Sequence, residues 1–146
     1  MSDQGIPEGF TPLLLDSPFQ TGFGQLYYKP KSGGAVIGWR VAAHHLNRYG
    51  IVHGGAIAAF MDSALGNAVL QQPQKPLADV TVSLSIDYMA SGPAGSWIEA
   101  DVVVPKMGKR LAFAHCEVRA GGRVIASGRG VFSLQMPHPV KPVAAP

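Results

Sequence analysis

Asn47-Arg48-Tyr49-Gly50-Ile51-Val52-His53-Gly54-Gly55 runs straight into Ala56-Ile57-Ala58-Ala59-Phe60-Met61-Asp62-Ser63-Ala64-Leu65-Gly66-Asn67-Ala68. From about Ala56 to Gln72, apolar residues recur at Ile57, Phe60, Met61, Ala64, Leu65 and Ala68. That is the i, i+3, i+4, i+7 stripe of a packed helix. Asp62 is the only charged residue in the segment. Asp is a poor residue for a helix interior, and a carboxylate among apolar neighbours is costly unless it is paired or used. The glycine pair before the helix can bring bare N–H groups up to a ligand. A polar loop, a helix N-terminus and a lone acid within sixteen residues read as a site rather than as core.

One amphipathic helix cannot bury its stripe alone, so the flanking segments must cover it. Gln25–Lys29 and Ala35–Ala43 read as strands, with Pro30-Lys31-Ser32-Gly33-Gly34 as the turn of a hairpin. After a Gln/Pro loop, Asp79–Met89 alternates strictly, with Val80, Val82, Leu84, Ile86 and Tyr88 on one face and Thr81, Ser83, Ser85 and Asp87 on the other. Ser96–Val104, Lys109–Arg119 and Arg123–Gln135 follow as strands, the last two joined at Ala120-Gly121-Gly122. The predicted order is β-β-α-β-β-β-β. A short helix or packed arm is predicted around Thr11–Asp16 within an N-terminal arm over 1–24. A Pro- and Ala-rich tail over 136–146 reads as disordered, leaving 25–135 as a single domain.

Asn47, His53, Gly54 and Gly55, followed seven residues later by Asp62, resemble the motif of the hotdog-fold acyl-CoA thioesterases of the phenylacetate-pathway (PaaI-like) type. The similarity covers about residues 10 to 135. It implies an α+β hotdog fold, a curved antiparallel sheet wrapped around one long central helix. It also implies a homodimer or homotetramer with sites at the subunit interface, the acid of one subunit facing the Gly and Asn of its partner.

The chemistry fits the residue types. Thioester hydrolysis needs donors that hold the developing oxyanion, a base or nucleophile, and a group that orients it. The N–H groups at Gly54 and Gly55 sit at the positive end of the helix dipole, and the resemblance gives the Gly54 amide the oxyanion role. Asp62 is the base or the nucleophile, and the sequence does not choose between them. Asn47 reads in isolation as a turn residue; the resemblance makes it the group that orients water or contacts the thioester. The resemblance also has Thr81 bond near the acid, with Ser83 as a weaker substitute, and leaves His53 to anchor the loop or touch substrate. Lys106, Lys109 and Arg110 cluster in one hairpin. Charges in a turn are ordinarily just solvated, but Lys109 and Arg110, with Arg48 beside the motif, are candidates for the phosphates of coenzyme A.

Composition excludes several other classes. The 146 residues are enough for one domain with a real core, burying roughly 68–70% of the unfolded surface. A charged fraction of 14% against 47% hydrophobic hints at further surface buried in an oligomer. The net charge of +3 is spread along the chain, which argues against nucleic-acid binding but suits an anionic ligand. The single Cys116 excludes an internal disulfide, and His44, His45, His115 and Cys116 lack metal-ligand spacing. No metal or cofactor is expected, coenzyme A being part of the substrate. The N-terminus lacks a basic leader and no apolar run reaches membrane length, so a cytoplasmic protein with no membrane partner is expected. Two rivals remain: a hotdog enoyl-CoA hydratase or dehydratase using His53 with Asp62, and a non-catalytic acyl-CoA sensor, in which Asp62 would be superfluous.

Overall fold

In the computed structural model, residues 5–14 and 17–137 are described. A two-residue strand, β1 (Thr11–Pro12), and a short helix, α1 (Pro18–Phe23), precede the hairpin of β2 (Leu26–Lys31) and β3 (Gly34–Arg40). A 3₁₀ turn at Ala43–His45 leads into α2 (Gly54–Leu70), followed by β4 (Ala78–Tyr88), β5 (Trp97–Met107), β6 (Leu111–Ala120) and β7 (Arg123–Gln135). Of the short helix or packed arm predicted around Thr11–Asp16, the described residues 11–14 form the arm, with Thr11 and Pro12 paired to β2 and Leu13 packed on the core, and the helix falls later in the chain. Ser17 caps α1 by accepting the Gln20 N–H at 3.1 Å, and Pro18 opens its first turn. Ser-Pro is a helix-start pair, whereas Thr11-Pro12 has room only to pair with Tyr27 and Tyr28 of β2. Of the tail over 136–146, all but residues 136 and 137 lies outside the described residues.

The strands form one antiparallel sheet in the order β1-β2-β3-β5-β6-β7-β4. α2 packs across β3 to β7, as the hotdog arrangement requires. The predicted stripe is the buried one: Ile57, Phe60, Met61, Ala64, Leu65 and Ala68 are at most 2% exposed. They meet Ile37, Trp39, Ile98, Ile125 and Phe132 in a single core. Each large side chain so buried contributes about 1.5–3 kcal/mol. Close approach of helix and sheet depends on Gly128 in β7, where a Cβ would lie 2.2 Å from the Met61 sulfur. Among the described residues, no helix is long and apolar enough to cross a membrane.

β4 corrects the predicted alternation. Thr81 pairs with Phe132 and Ser83 with Val131, so Val82 is an unpaired bulge. An extra residue flips the two halves of the strand relative to each other. Leu84 and Ile86 face the core, but Val80 and Val82 are 68% and 61% exposed. Thr81 turns toward α2 instead of away from it. β4 also ends the sheet, so its outer edge has no strand beside it among the described residues.

Candidate active site

His53 caps α2. Its Nδ1 accepts the Gly55 N–H at 2.8 Å, and its own N–H bonds the His45 carbonyl at 2.9 Å. The cap occupies one of the two amides that the sequence leaves free. Gly55 is therefore engaged, while the Gly54 N–H has no hydrogen-bond partner among the described residues. The first N–H of a helix points outward at the positive end of the dipole. The far side of Gly54 is held by a residue that sequence reasoning assigned to the apolar face. The Tyr88 hydroxyl, from the end of β4, donates to the Gly54 carbonyl at 2.7 Å. The Tyr88 ring stands 3.5 Å from where a Gly54 Cβ would sit.

Asn47 splits its amide between two tasks. Its Oδ1 accepts the Tyr49 and Ile51 N–H groups at 2.9 and 3.3 Å, which shapes the loop. Its Nδ2 makes no hydrogen bond among the described residues and remains available as a donor. Arg48 is exposed, with its guanidinium 5.0 Å from the Tyr49 ring centre.

Two turns further along α2, half-buried Asp62 accepts the Thr81 hydroxyl through Oδ1 at 2.7 Å. The Val82 bulge aims Thr81 this way. Ser83, beyond the bulge, lines a cavity with Phe113, His115 and Arg129 instead. Sequence reasoning missed Asp79. It shares the helix side of β4 with Thr81, and its Oδ2 lies 3.1 Å from where a Cβ on Gly66 would stand. That oxygen is buried and has no hydrogen-bond partner among the described residues. Burial, and secondarily the charge of Asp62, push the Asp79 carboxyl up to about 6. Its spacing two residues before Thr81 was the available signal.

Gly54 and Asp62 do not meet within the chain. Eight residues of helix separate them by about 12 Å along the axis, too far for one carbonyl to touch both. The cations divide in the same way. Lys109 and Arg110 precede Leu111, which pairs with Ser133, itself paired with Val80. They sit at the Asp62–Thr81 end of the sheet, while Arg48 sits beside the Gly54 end. Elsewhere, the Cys116 thiol is buried and pushed up to about 12 by desolvation, then by the charge of Asp101. Among the described residues, no three His, Cys, Asp or Glu side chains gather as a metal site.

The thioesterase superfamily family model matches residues 49–127. A Pseudomonas aeruginosa protein that carries an esterase name is 35% identical over 130 residues, 88% of this chain and 97% of that protein. Mouse acyl-coenzyme A thioesterase 13 is 33% identical over 92 residues, 62% of this chain and 65% of the mouse protein. Among solved structures, an asparagine-to-aspartate variant of the phenylacetic acid degradation protein PaaI from Thermus thermophilus superposes with a TM-score of 0.70 at 30% identity, covering 82% of this chain and all of that one. Zebrafish thioesterase superfamily member 2 reaches 0.73 at 29% identity, covering 82% of this chain and 88% of that one.

Proposed function

The chain belongs to the thioesterase superfamily, and we propose that it is a thioester hydrolase acting on acyl-coenzyme A, with Asp62 as general base or nucleophile and the Gly54 N–H as oxyanion donor. The observation that carries this reading is the 2.7 Å bond from Thr81 to Asp62. A carboxylate held at one oxygen by a hydroxyl keeps its other oxygen for water or for the carbonyl carbon. The Gly54 amide polarises the thioester, a donor of the kind worth about 2.7–4 kcal/mol of barrier. The free Nδ2 of Asn47 orients water or carbonyl from the same loop. A thiolate leaves with little protonation help, which suits a site with one working acid.

The separation of about 12 Å along the helix between Gly54 and Asp62 argues for a composite site. β4 is an eleven-residue edge strand that exposes Val80 and Val82, a surface that proteins ordinarily cover. Pairing it with β4 of a second copy about a two-fold axis sets two α2 helices antiparallel. Asp62 of one subunit then faces Gly54 and Asn47 of the other. The same operation brings Lys109 and Arg110 of one chain toward Arg48 of its partner, three cations for the coenzyme A phosphates. A groove of about 420 Å³ beside Gly55, lined by Phe19, Phe23, Ala56 and Ala59 among others, accommodates an apolar acyl group.

Hydratase chemistry would need His53 as a base, and its Nδ1 lone pair is taken by the Gly55 amide. The test is free-thiol release from phenylacetyl-, hydroxybenzoyl-, short-, medium- and long-chain acyl-CoA, with Asp62→Asn alongside. Release that vanishes in the variant supports the reading. Release that persists removes Asp62 from its role, and none from any substrate overturns the activity.

A further inference from the structure

Tyr88 touches Gly54 from outside α2 and has no part in the steps assigned to Asp62, Thr81 and Asn47. Leu84 and Ile86 pack on the core. Tyr88 is the next residue on that face of β4, but it runs past the covered part of the sheet. It is 52% exposed and reaches the first turn of α2. Its backbone is well held. Tyr88 pairs with Ala126 of β7, and the Met89 and Ala90 N–H groups both bond the carbonyl of buried Ile125, at 2.9 and 3.1 Å. The loop before α2 is tied to the same stretch of chain, since the Val52 N–H bonds the Gly92 carbonyl at 3.0 Å. The end of β4 and the start of α2 are thus joined at two points.

Gly54 needs such support. The two peptide groups that meet at its Cα offer two carbonyls and two N–H groups. The His53 carbonyl accepts the Ala56 and Ile57 N–H groups at 2.9 and 3.1 Å. The Gly55 N–H is held by His53 Nδ1 at 2.8 Å, and the Gly54 carbonyl by the Tyr88 hydroxyl at 2.7 Å. His53 and Tyr88 therefore grip the Gly54–Gly55 peptide at its two opposite ends. Among the described residues, the Gly54 N–H is the group left over. A glycine resists rotation least of all residues, and helix ends fray. A hydrogen bond weakens steeply once it bends, so a donor at this position works only if its peptide is held.

We propose that Tyr88 is a positioning residue for the hydrolysis: by holding the Gly54 carbonyl it aims the Gly54 N–H at the oxyanion, an inference that rests on the role given to Gly54 above. Tyr88 itself touches no reacting atom. Its effect falls on the transition state, because the full negative charge on the carbonyl oxygen develops only there.

Tyr88→Phe removes the hydroxyl and keeps the ring, which stands 3.5 Å from the Gly54 Cβ position. Deleting a whole oxyanion donor costs roughly a hundred- to a thousandfold in kcat. Loosening one that remains should cost less, roughly five- to thirtyfold on the best acyl-CoA of the panel, with KM within about twofold and the melting curve almost unchanged. A coenzyme A thioether carrying a trifluoromethyl ketone, which hydrates to a tetrahedral mimic of the intermediate, should lose affinity by a similar factor. The same thioether without the ketone should bind as before. Tyr88→Leu, which also strips the ring from that flank of Gly54, should lose more than Tyr88→Phe. A kcat and a fluoroketone affinity both unchanged in Tyr88→Phe would overturn the proposal. So would a loss carried by KM alone, which would make Tyr88 a substrate contact, or equal losses for the two thioethers, which would make it a support for the helix end. A wild type that releases thiol from no thioester would overturn the hydrolase reading itself, and this proposal with it.

Discussion

The Thr81 hydroxyl donates to Asp62 Oδ1 at 2.7 Å, and it reaches that oxygen because Val82 is bulged out of β4. Without the extra residue, Thr81 would face the outer side with Ser85 and Asp87. A side chain is re-aimed here by a strand irregularity, the use to which bulges beside active sites are commonly put.

Removing that hydroxyl should leave the fold intact, because Thr81 is exposed. Hydrogen bonds to charged groups are worth about 1.5–3 kcal/mol, so Thr81→Ala should lower kcat roughly ten- to a hundredfold. Thr81→Ser should keep most of the activity. Asp62→Asn should cost more, on the order of a thousandfold, since it removes the proposed base or nucleophile. Steady-state thiol release with a melting curve for each variant checks the order Asp62→Asn, Thr81→Ala, Thr81→Ser. An Ala variant as active as the wild type would reduce the bond to a structural one.

The edge of β4 can be tested on its own. Lysine blocks edge-to-edge pairing, and Val80 and Val82 are largely exposed in the single chain. Val80→Lys with Val82→Lys should therefore leave the monomer folded while splitting the oligomer. Because the site is argued to be shared, activity should fall in step with dissociation. Size exclusion with light scattering beside thiol release reads both, and a dissociated yet fully active protein would refute the shared site.

His45 makes folding pH-dependent. Its Nδ1 accepts the Ala42 N–H at 2.8 Å, so Nε2 carries the hydrogen and bonds the Phe23 carbonyl at 2.5 Å. Burial lowers its pKa, against a raising effect of that carbonyl, and the neighbouring His44 lowers it further. The unfolded chain then binds more protons than the folded one below about pH 6.5. The contribution of His45 is complete above that pH and is lost as the pH falls toward the depressed folded value. The melting temperature should drop as the pH falls below about 6.5, and His45→Phe should flatten that part of the curve. An unchanged slope would show that the drop has another origin.

Much of this was legible in the sequence where local periodicity and burial coincide. Ile57, Phe60 and Met61 repeat at helical spacing and are buried together. The start of α2 was legible through its glycines. What escaped depended on partners distant in the chain. Alternation in β4 carries no mark of the Val82 bulge, which is set by how Phe132 and Val131 pair across from it. Asp79 looked like a strand-boundary acid because its burial comes from Gly66 and Phe132, contacts made only once helix and sheet close. Residue type alone does not separate Gly54 from Gly55; the resemblance singled out Gly54, and the orientation of the His53 ring, which engages the Gly55 N–H, gives the physical reason.

The proposed shared site makes a prediction that no single-chain site would make. On that proposal, Asp62→Asn homodimers lack the base or nucleophile at both sites, and Asn47→Ala homodimers lack the orienting amide at both. Mixing equal amounts under exchange should produce heterodimers as half of the population. In each, one site joins an intact Asp62 from one chain to an intact Asn47 from the other, and the second site carries both defects. Activity should therefore recover to about a quarter of wild type from two nearly inactive parents. The recovery should follow the rate of subunit exchange and disappear when exchange is blocked by cross-linking each parent beforehand. If Asn47 and Asp62 served one site within one chain, every mixed dimer would hold two singly defective sites, and no recovery would follow. Subunit mixing thus separates the two geometries with one assay and no knowledge of the preferred acyl group.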